Sequence, residues 1–278
     1  MVIYPGQYNT LKVLRIVGIG AYLDDGKEGI LLPNRFLPKE IKEGEELDVF
    51  IYHDSENRLI ATTQKPFATV GDIRKLKVVS VTNQGAFLDN GLMKDLFIPK
   101  SLQKDIMRIN GEYIVKVISD KSTGRMTATQ RFDDSLDTEF PEFEPKESVN
   151  LLVYRRTPLG YVVIINNRFT GVLHSSDIFR NITEGDEFKG FIKKVYEDGK
   201  IDVSAGEAGY QRVESETEKI IRLLFENDGY LPYNDKSDPD EIYQVFGMSK
   251  KTFKMCIGNL YKQKKITLEK TGIRSVTE

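Results

Sequence analysis

A segment near the start of the chain, LKVLRIVGIGAYLD at residues 11–24, returns as LKVVSVTNQGAFLD at residues 76–89. The two segments share 7 of 14 residues at a constant offset of 65. A match of this length within one chain indicates a repeated structural unit, and the offset gives the size of that unit. The repeat therefore predicts two neighbouring domains, at residues 1–65 and 66–131.

A third, weaker copy follows the first two. It begins with SVNLLVYRRTPLGYVV at 148–163 and contains GVLHSSDIF at 171–179 and EGDEFKGFIKKVYEDGKIDVS at 184–204. We expect this copy to form a domain at 148–207. The stretch before it, 132–147, is acidic, contains two prolines and lacks alternation, so it is predicted to be a linker.

Each copy contains short runs with the alternation of a β-strand. In GAYLD, Ala21 and Leu23 share one face of the predicted strand, and Tyr22 lies on the other. Gly20 is expected at a bulge or a sharp bend. Five short strands give too little core for a sandwich, whereas closure into a barrel removes exposed strand edges. We therefore predict a mainly β protein with three tandem five-stranded barrels.

The order of elements in the copies resembles the S-one RNA-binding domain, an OB-type barrel. The resemblance rests on the strand ending GAYLD or GAFLD, on GVLHSSDIF in the third copy, and on an Asp followed by a basic residue at the last hairpin. It implies a face that binds RNA through aromatic side chains, a histidine of the third strand, and that Asp and basic residue. The implied face residues are Tyr22, Asp54 and Arg58 in copy one, Phe87, Asp120 and Arg125 in copy two, and His174 and Lys200 in copy three.

No copy has the full set of face residues that the resemblance implies. Ile19, Gln84 and Leu159 stand where the family has its first aromatic residue. Leu32 and Ile98 are aligned with the family histidine, and Val162 takes the place of the second aromatic residue in copy three. In that copy the aromatic has moved to Tyr161, which is expected to face inward.

An exposed aromatic residue stacks on any base and contributes about 1–3 kcal/mol per base. Basic residues beside it add affinity that depends on salt, and weak copies in series reinforce one another. The alternative interpretation is structural. Tyr22 and Phe87 would then be core residues, His174 a hydrogen-bonded structural residue, and Arg58 and Arg125 solvated turn residues.

The pattern becomes helical towards the C-terminus, which predicts a separate α/β domain at 211–278. Ser215 and Glu218 form a capping box, Asp238-Pro239 opens a second helix, and Ser249 caps a third. Two short strands around residues 270–272 close the chain. The order helix, strand, helix, helix and hairpin is typical of a winged helix-turn-helix.

The third helix of this domain is rich in lysine. Lys250, Lys251, Lys254 and Lys262 occupy the positions that the apolar face leaves free. A basic third helix usually enters the major groove of duplex DNA in such modules. Winged helices also contact RNA or protein, and lysine-rich faces are often simply solvated, so the partner of this face stays open.

Composition narrows the functional classes. The net charge of −2 excludes a uniformly basic protein, but residues 66–131 hold 11 Lys and Arg against 6 Asp and Glu. The chain has one cysteine, Cys256, and two histidines, so no disulfide, metal site or catalytic histidine cluster is expected. We expect no enzyme activity and no cofactor. The absence of a signal peptide and of a long apolar run predicts a cytoplasmic location.

Three S-one-like barrels followed by a winged helix resemble the conserved virulence factor B family of bacteria. The stretch FKMCIGNLYKQKKI and the loop DKSDP add to that likeness. The resemblance implies a protein that binds single-stranded RNA and influences virulence gene expression post-transcriptionally. The alternative is a DNA-binding transcription regulator that uses the winged helix, with the barrels as partner-binding modules. A nuclease is a third hypothesis, which the lack of paired carboxylates disfavours.

Overall fold

The structure is a computed structural model that describes residues 2–137, 141–178, 182–205 and 210–276, without the side chains of residues 176 and 210–215. The chain divides into two compact units, residues 1–137 with 167–169, and residues 138–166 with 170–278. The first unit contains two β-barrels. The second contains the C-terminal domain and a third barrel, except for residues 167–169, which are grouped with the first unit.

Five short strands close into each barrel, and the strand order is the same in all three. The first barrel has the order β1-β2-β3-β5-β4, in which every pair is antiparallel except the parallel pair β3–β5. Its strands are β1 (Gln7–Val17), β2 (Gly20–Leu23), β3 (Ile30–Pro33), β4 (Glu46–His53) and β5 (Leu59–Thr62).

The second and third barrels repeat this order as β6-β7-β8-β10-β9 and β11-β12-β13-β15-β14. The predicted mainly β fold with three closed five-stranded barrels is confirmed. The strands of the second barrel are β6 (Ile73–Val81), β7 (Gly85–Leu88), β8 (Leu96–Pro99), β9 (Glu112–Ser119) and β10 (Met126–Thr129). Those of the third are β11 (Ser148–Thr157), β12 (Gly160–Ile165), β13 (Phe169–His174), β14 (Glu187–Val195) and β15 (Ile201–Ser204).

The glycine that opens the second strand of each barrel lies directly against the backbone of the third strand. A Cβ atom added at Gly20 would lie 2.1 Å from the Leu32 carbonyl oxygen, and one added at Gly85 would lie 2.2 Å from that of Ile98. Of the two alternatives expected at Gly20, a bulge or a sharp bend, the bulge is wrong, because the register shift falls between Val13 and Arg15 on β1. The glycine is needed for close packing of two backbones.

The segment after the second barrel begins with packed structure, although it was predicted to be a linker. Phe132 and Leu136 are buried on either side of a short 3₁₀ helix at Asp133–Ser135. Lys116 on β9 donates to the Ser135 hydroxyl at 2.9 Å, and Lys104 pairs with Asp133. Residues 138–140 and the predicted domain boundary at residue 207 lie outside the described residues.

The C-terminal domain has the predicted order of helices and strands. A three-stranded sheet, β16-β18-β17, accompanies three helices around one apolar core that includes Cys256. No helix within the described ranges is long and apolar enough to cross a membrane. The elements are α1 (Tyr210–Glu226), β16 (Tyr230–Leu231), α2 (Pro239–Phe246), α3 (Lys250–Lys262), β17 (Ile266–Leu268) and β18 (Ile273–Ser275).

Two of the three predicted helix starts agree with the structure. Asp238 accepts a hydrogen bond from the Asp240 N–H at 2.8 Å, and Ser249 accepts one from the Thr252 N–H at 3.2 Å. The predicted start at Ser215 is wrong, because α1 already begins at Tyr210. A serine with a glutamate three residues later also occurs inside helices, so this signal alone does not mark an N-terminus.

We predict that Gly20→Ala destabilises the first barrel and that Gly18→Ala does not. The new methyl group at Gly20 would overlap the Leu32 carbonyl, whereas a Cβ at Gly18 meets no atom within 4 Å. Forcing the two backbones apart costs about 1–3 kcal/mol. Native-state hydrogen exchange is the measurement, and the amides of β1, β2 and β3 should exchange faster in Gly20→Ala alone. Equal exchange in the two variants would contradict the packing role of Gly20.

Candidate nucleic-acid interface

The strand register aligns one row of outward side chains across the first three strands of each barrel, here called the outer row. In the first barrel Tyr22 lies between Arg15 on β1 and Leu31 on β3. In the second barrel Phe87 lies between Ser80 on β6 and Phe97 on β8. The corresponding outer-row residues of the third barrel are Arg155, Val162 and Val172.

Burial agrees with the predicted alternation. Ala21, Leu23, Ala86 and Leu88 are fully buried, whereas Tyr22 and Phe87 are half-buried. The core of each barrel is therefore filled from the other side of the strand. The aromatic rings remain on the wall of the barrel, where part of each ring is open to a ligand.

The third barrel places its aromatic residue on the core side of β12. Tyr161 pairs with Arg156 and so corresponds to Ala21, which pairs with Ile16. Its ring is half-buried, and its hydroxyl donates to the Ile182 carbonyl at 2.9 Å. Val162 takes the outer-row position, so this barrel has no aromatic residue on the outer row.

The alignment of Leu32 and Ile98 with the family histidine is wrong by one residue. Both side chains are fully buried. His174 instead corresponds to Pro33 and Pro99, because each of these three residues immediately precedes the short 3₁₀ helix of its barrel. A slip of one residue moves a side chain to the opposite face of a strand.

Backbone hydrogen bonds identify the matching residues at the last hairpin of each barrel. The N–H of Asp54 donates to the Arg58 carbonyl at 2.9 Å, and the N–H of Asp120 donates to the Arg125 carbonyl at 2.8 Å. In the third barrel the N–H of Tyr196 donates to the Lys200 carbonyl at 2.8 Å. Lys200 therefore corresponds to the two arginines, and a tyrosine replaces the aspartate.

In the first barrel, Arg15 covers one side of Tyr22, and the hairpin residues Arg58 and Asp54 bind each other. The Arg15 guanidinium lies 4.2 Å from the centre of the Tyr22 ring. Arg58 binds Asp54 through two nitrogens, at 2.9 and 2.8 Å. Burial raises the pKa of Asp54, but hydrogen bonds from Arg58 and from the Glu56 N–H outweigh it and hold the pKa below its ordinary value.

In the second barrel the outer row carries two aromatic rings. The Phe87 and Phe97 ring centres are 5.0 Å apart with 45° between their planes. Asp120 is not paired with Arg125, since its carboxylate accepts hydrogen bonds from the hydroxyls and N–H groups of Ser122 and Thr123. Hydrogen bonds from the hydroxyls of Ser122 and Thr123, with a smaller contribution from their N–H groups, lower the pKa of Asp120 to about 2.

These two rings and the end of β4 from the first barrel line a cleft of about 460 Å³ in the first unit. Asp120 and Arg125 also line it, so the cleft collects all three face residues predicted for the second barrel. Among the described residues, no group of three or more His, Cys, Asp or Glu side chains has the arrangement of a metal site.

The third barrel replaces the aromatic row with a polar cluster. His174 Nε2 lies 3.1 Å from one oxygen of Asp202, and the Tyr196 hydroxyl donates to the other oxygen at 2.9 Å. That hydrogen bond raises the pKa of Tyr196. The Lys194 ammonium lies 4.4 Å from the Tyr196 ring centre. Lys200 is tied to Asp198 at 2.5 Å and does not join the cluster.

The lysines of α3 are on its surface. Lys251, Lys254 and Lys262 are exposed and Lys250 is half-buried, while the core is filled from this helix by Phe253, Cys256, Ile257 and Leu260. Lys254 lies 3.8 Å from Asp235, which reduces the positive charge at that point.

Sequence reasoning missed the outer-row residues contributed by the neighbouring strands. Phe97 lies between the buried Leu96 and Ile98, and this alternation was visible in DLFIP. Asp202 had no comparable signal, because it meets His174 only through the parallel pairing of β13 with β15, which brings distant parts of the chain together.

Family models match two parts of the chain. Residues 5–64 match the S1 (S-one) domain, and residues 218–274 match the CvfB-like winged helix domain. Neither model describes an enzymatic domain, and the S1 match supports nucleic-acid binding.

Known proteins resemble the chain over most of its length. Uncharacterized protein YitL of Bacillus subtilis is 30% identical over 95% of this chain and 91% of that protein. Conserved virulence factor B of Staphylococcus haemolyticus is 30% identical over 86% of this chain and 82% of that protein.

A crystal structure of a multidomain protein with nucleic acid binding domains from Streptococcus pneumoniae aligns with 98% of this chain and 99% of that one. Its sequence identity is 20% and its TM-score 0.44. The two sequence relatives cover most of the chain, and the S1 and winged-helix models match parts near its two ends. The chain belongs to the conserved virulence factor B family.

Proposed function

We propose that this protein binds single-stranded RNA through the outer rows and last hairpins of its barrels. The observation that carries the proposal is the matched position of Tyr22 and Phe87, each half-open on the wall of an S1-like barrel. Bases stack on such rings whatever their identity. Arg58 and Arg125 lie at the adjacent hairpins, where they can neutralise the phosphates of the same strand.

The three barrels contribute unequally to this function. The second offers two aromatic rings in a cleft, and the first offers one ring already covered on one side by Arg15. The third offers His174 and Lys200 without an aromatic residue on the outer row. Several weak sites on one chain raise the overall affinity because the second binding event is intramolecular.

The name of a relative supports a regulatory role. We propose that RNA binding by this protein alters the expression of bacterial genes after transcription, including genes for virulence. The support is the relative whose name is Conserved virulence factor B. A protein whose barrels bind RNA without cleaving it can regulate gene expression by occupying a transcript.

Loss of the two aromatic rings should weaken binding of a fluorescein-labelled 12-nucleotide single-stranded RNA. Each of Tyr22→Ala and Phe87→Ala removes one stacking platform, about 1–3 kcal/mol, which raises the Kd by about 5- to 150-fold. Fluorescence anisotropy at low salt measures the effect. Tyr4→Ala is the matched control, because Tyr4 is exposed in the first barrel but precedes β1 and lies outside the outer row. An unchanged Kd in a variant that carries both Tyr22→Ala and Phe87→Ala would refute stacking on the outer rows.

Phosphate contacts should appear in the salt dependence. We expect Arg125→Gln to reduce the slope of log Kd against log salt concentration by about 0.7, the value for one phosphate on a single strand. Lys77→Gln is the control, because Lys77 is exposed on β6 opposite Glu112 and outside the outer row. If both substitutions change the slope equally, Arg125 does not bind a phosphate specifically.

A second candidate function is binding of duplex DNA by the winged helix. The exposed lysines on α3 favour it, and residues 246–278 hold 8 Lys and Arg against 2 Asp and Glu. On this hypothesis the double variant Lys250→Ala, Lys254→Ala loses duplex DNA binding and keeps its affinity for single-stranded RNA. Anisotropy with a labelled duplex and with the 12-nucleotide RNA separates the two functions. Tighter binding of duplex than of RNA by the wild-type protein would make the winged helix the main reader.

A further inference from the structure

The cleft on the second barrel is walled on one side by the first barrel. Tyr52 and His53, at the end of β4, line it together with Phe87 and Phe97 of the second barrel. The His53 ring also approaches Gly124, since a Cβ atom at that glycine would lie 3.8 Å from His53 Cε1. The cleft is thus a composite of two domains.

Direct hydrogen bonds hold this wall in place. The Lys94 ammonium donates to the carbonyl oxygens of His53 at 3.0 Å and Asp54 at 2.7 Å. Arg125 Nε donates to the Asn57 side-chain oxygen at 2.6 Å. Both contacts join residues of the second barrel to the last hairpin of the first, so the cleft is preorganised before a ligand arrives.

The charges in the cleft balance. Its charged lining residues are Lys94 and Arg125 against Asp95 and Asp120. A phosphate group placed wholly inside the cleft would meet as many negative as positive side chains, whereas a neutral aromatic ligand meets two phenylalanine rings. A volume of about 460 Å³ is within the range of small-molecule sites, which runs from about 300 to 1,000 Å³. The lining therefore suits a nucleobase better than the sugar-phosphate backbone.

His53 supplies polar recognition at the edge of the cleft. Its Nδ1 atom is buried and has no hydrogen-bond partner. Burial, followed by the charges of Arg125 and Lys94, lowers the pKa of His53 despite the opposing effect of Asp54. The imidazole is therefore neutral at pH 7 and has one donor and one acceptor. This combination matches the donor and acceptor pattern at the edge of a base.

We propose that this cleft holds one nucleobase of the bound RNA, stacked on Phe87 of the second barrel and hydrogen-bonded by His53 of the first. The proposal rests on the proposed RNA binding and adds to it a site made by two barrels. One nucleotide then ties the two domains together. His53 is a base-contacting residue, although the family resemblance did not assign it.

A double-mutant cycle tests whether the two residues act on the same base. With the labelled 12-nucleotide RNA, His53→Ala should raise the Kd by about 2- to 12-fold, the loss of one net hydrogen bond. In the Phe87→Ala background, where the base has no platform, His53→Ala should change the Kd by less than about twofold, because residues that act on one ligand are coupled. In the Tyr22→Ala background the full effect of His53→Ala should persist.

The outcomes separate this inference from the proposed function. If the wild-type protein binds RNA and Phe87→Ala weakens it, but His53→Ala has no effect or adds fully in both backgrounds, the composite site is refuted and RNA binding stands. If the wild-type protein does not bind RNA, both proposals fail. His53→Gln controls for packing, because glutamine retains a donor and an acceptor and should recover part of the lost affinity.

A second measurement needs no substitution in the cleft. The chain has two histidines, so its imidazole NMR spectrum contains two sets of ring signals, and a His174→Gln sample assigns them. Adding adenosine monophosphate should shift the His53 signals, and ribose 5-phosphate at the same concentration should not. Equal shifts with both compounds would indicate an anion site, and no shift with either would indicate an empty cleft; each result overturns the proposal.

Discussion

In all three barrels the second strand begins with a glycine, and any side chain at that position would collide with a carbonyl oxygen of the third strand. A Cβ atom would lie 2.1 Å from the Leu32 oxygen at Gly20, 2.2 Å from the Ile98 oxygen at Gly85, and 2.1 Å from the Leu173 oxygen at Gly160. This contact determines the register of the two strands. Once the register is set, alternation decides which side chains fill the core and which line the outer row.

The three barrels use this shared frame differently. In the first, Arg15 covers Tyr22, and Arg58 is held by Asp54. In the second, Phe87 and Phe97 face a cleft that the first barrel helps to enclose. The third substitutes a hydrogen-bonded polar cluster around Asp202 for the aromatic residues. The repeat has preserved the backbone while the side chains on the outer row have diverged.

The sequence was sufficient to predict what depends on local pattern. The three repeated copies predicted the number of barrels, and alternation in GAYLD and GAFLD separated the buried Ala21 and Leu23 from Tyr22. Prediction failed where the answer depends on strand pairing. Leu32 aligns with the family histidine only if the glycines of GILLP and GVLH are equivalent. The structure shows that these two segments are offset from each other by one residue. His53 had no local signal at all, since its environment comes from the neighbouring barrel.

Ultraviolet crosslinking of the wild-type protein to a single-stranded 12-nucleotide RNA, followed by peptide mass spectrometry, tests the central claim most directly. If the outer rows bind RNA, crosslinked peptides will contain residues 85–99 with Phe87 and Phe97, and to a lesser extent Tyr22. Crosslinks confined to α3, with none in the barrels, would contradict the account and make the winged helix the RNA-binding element.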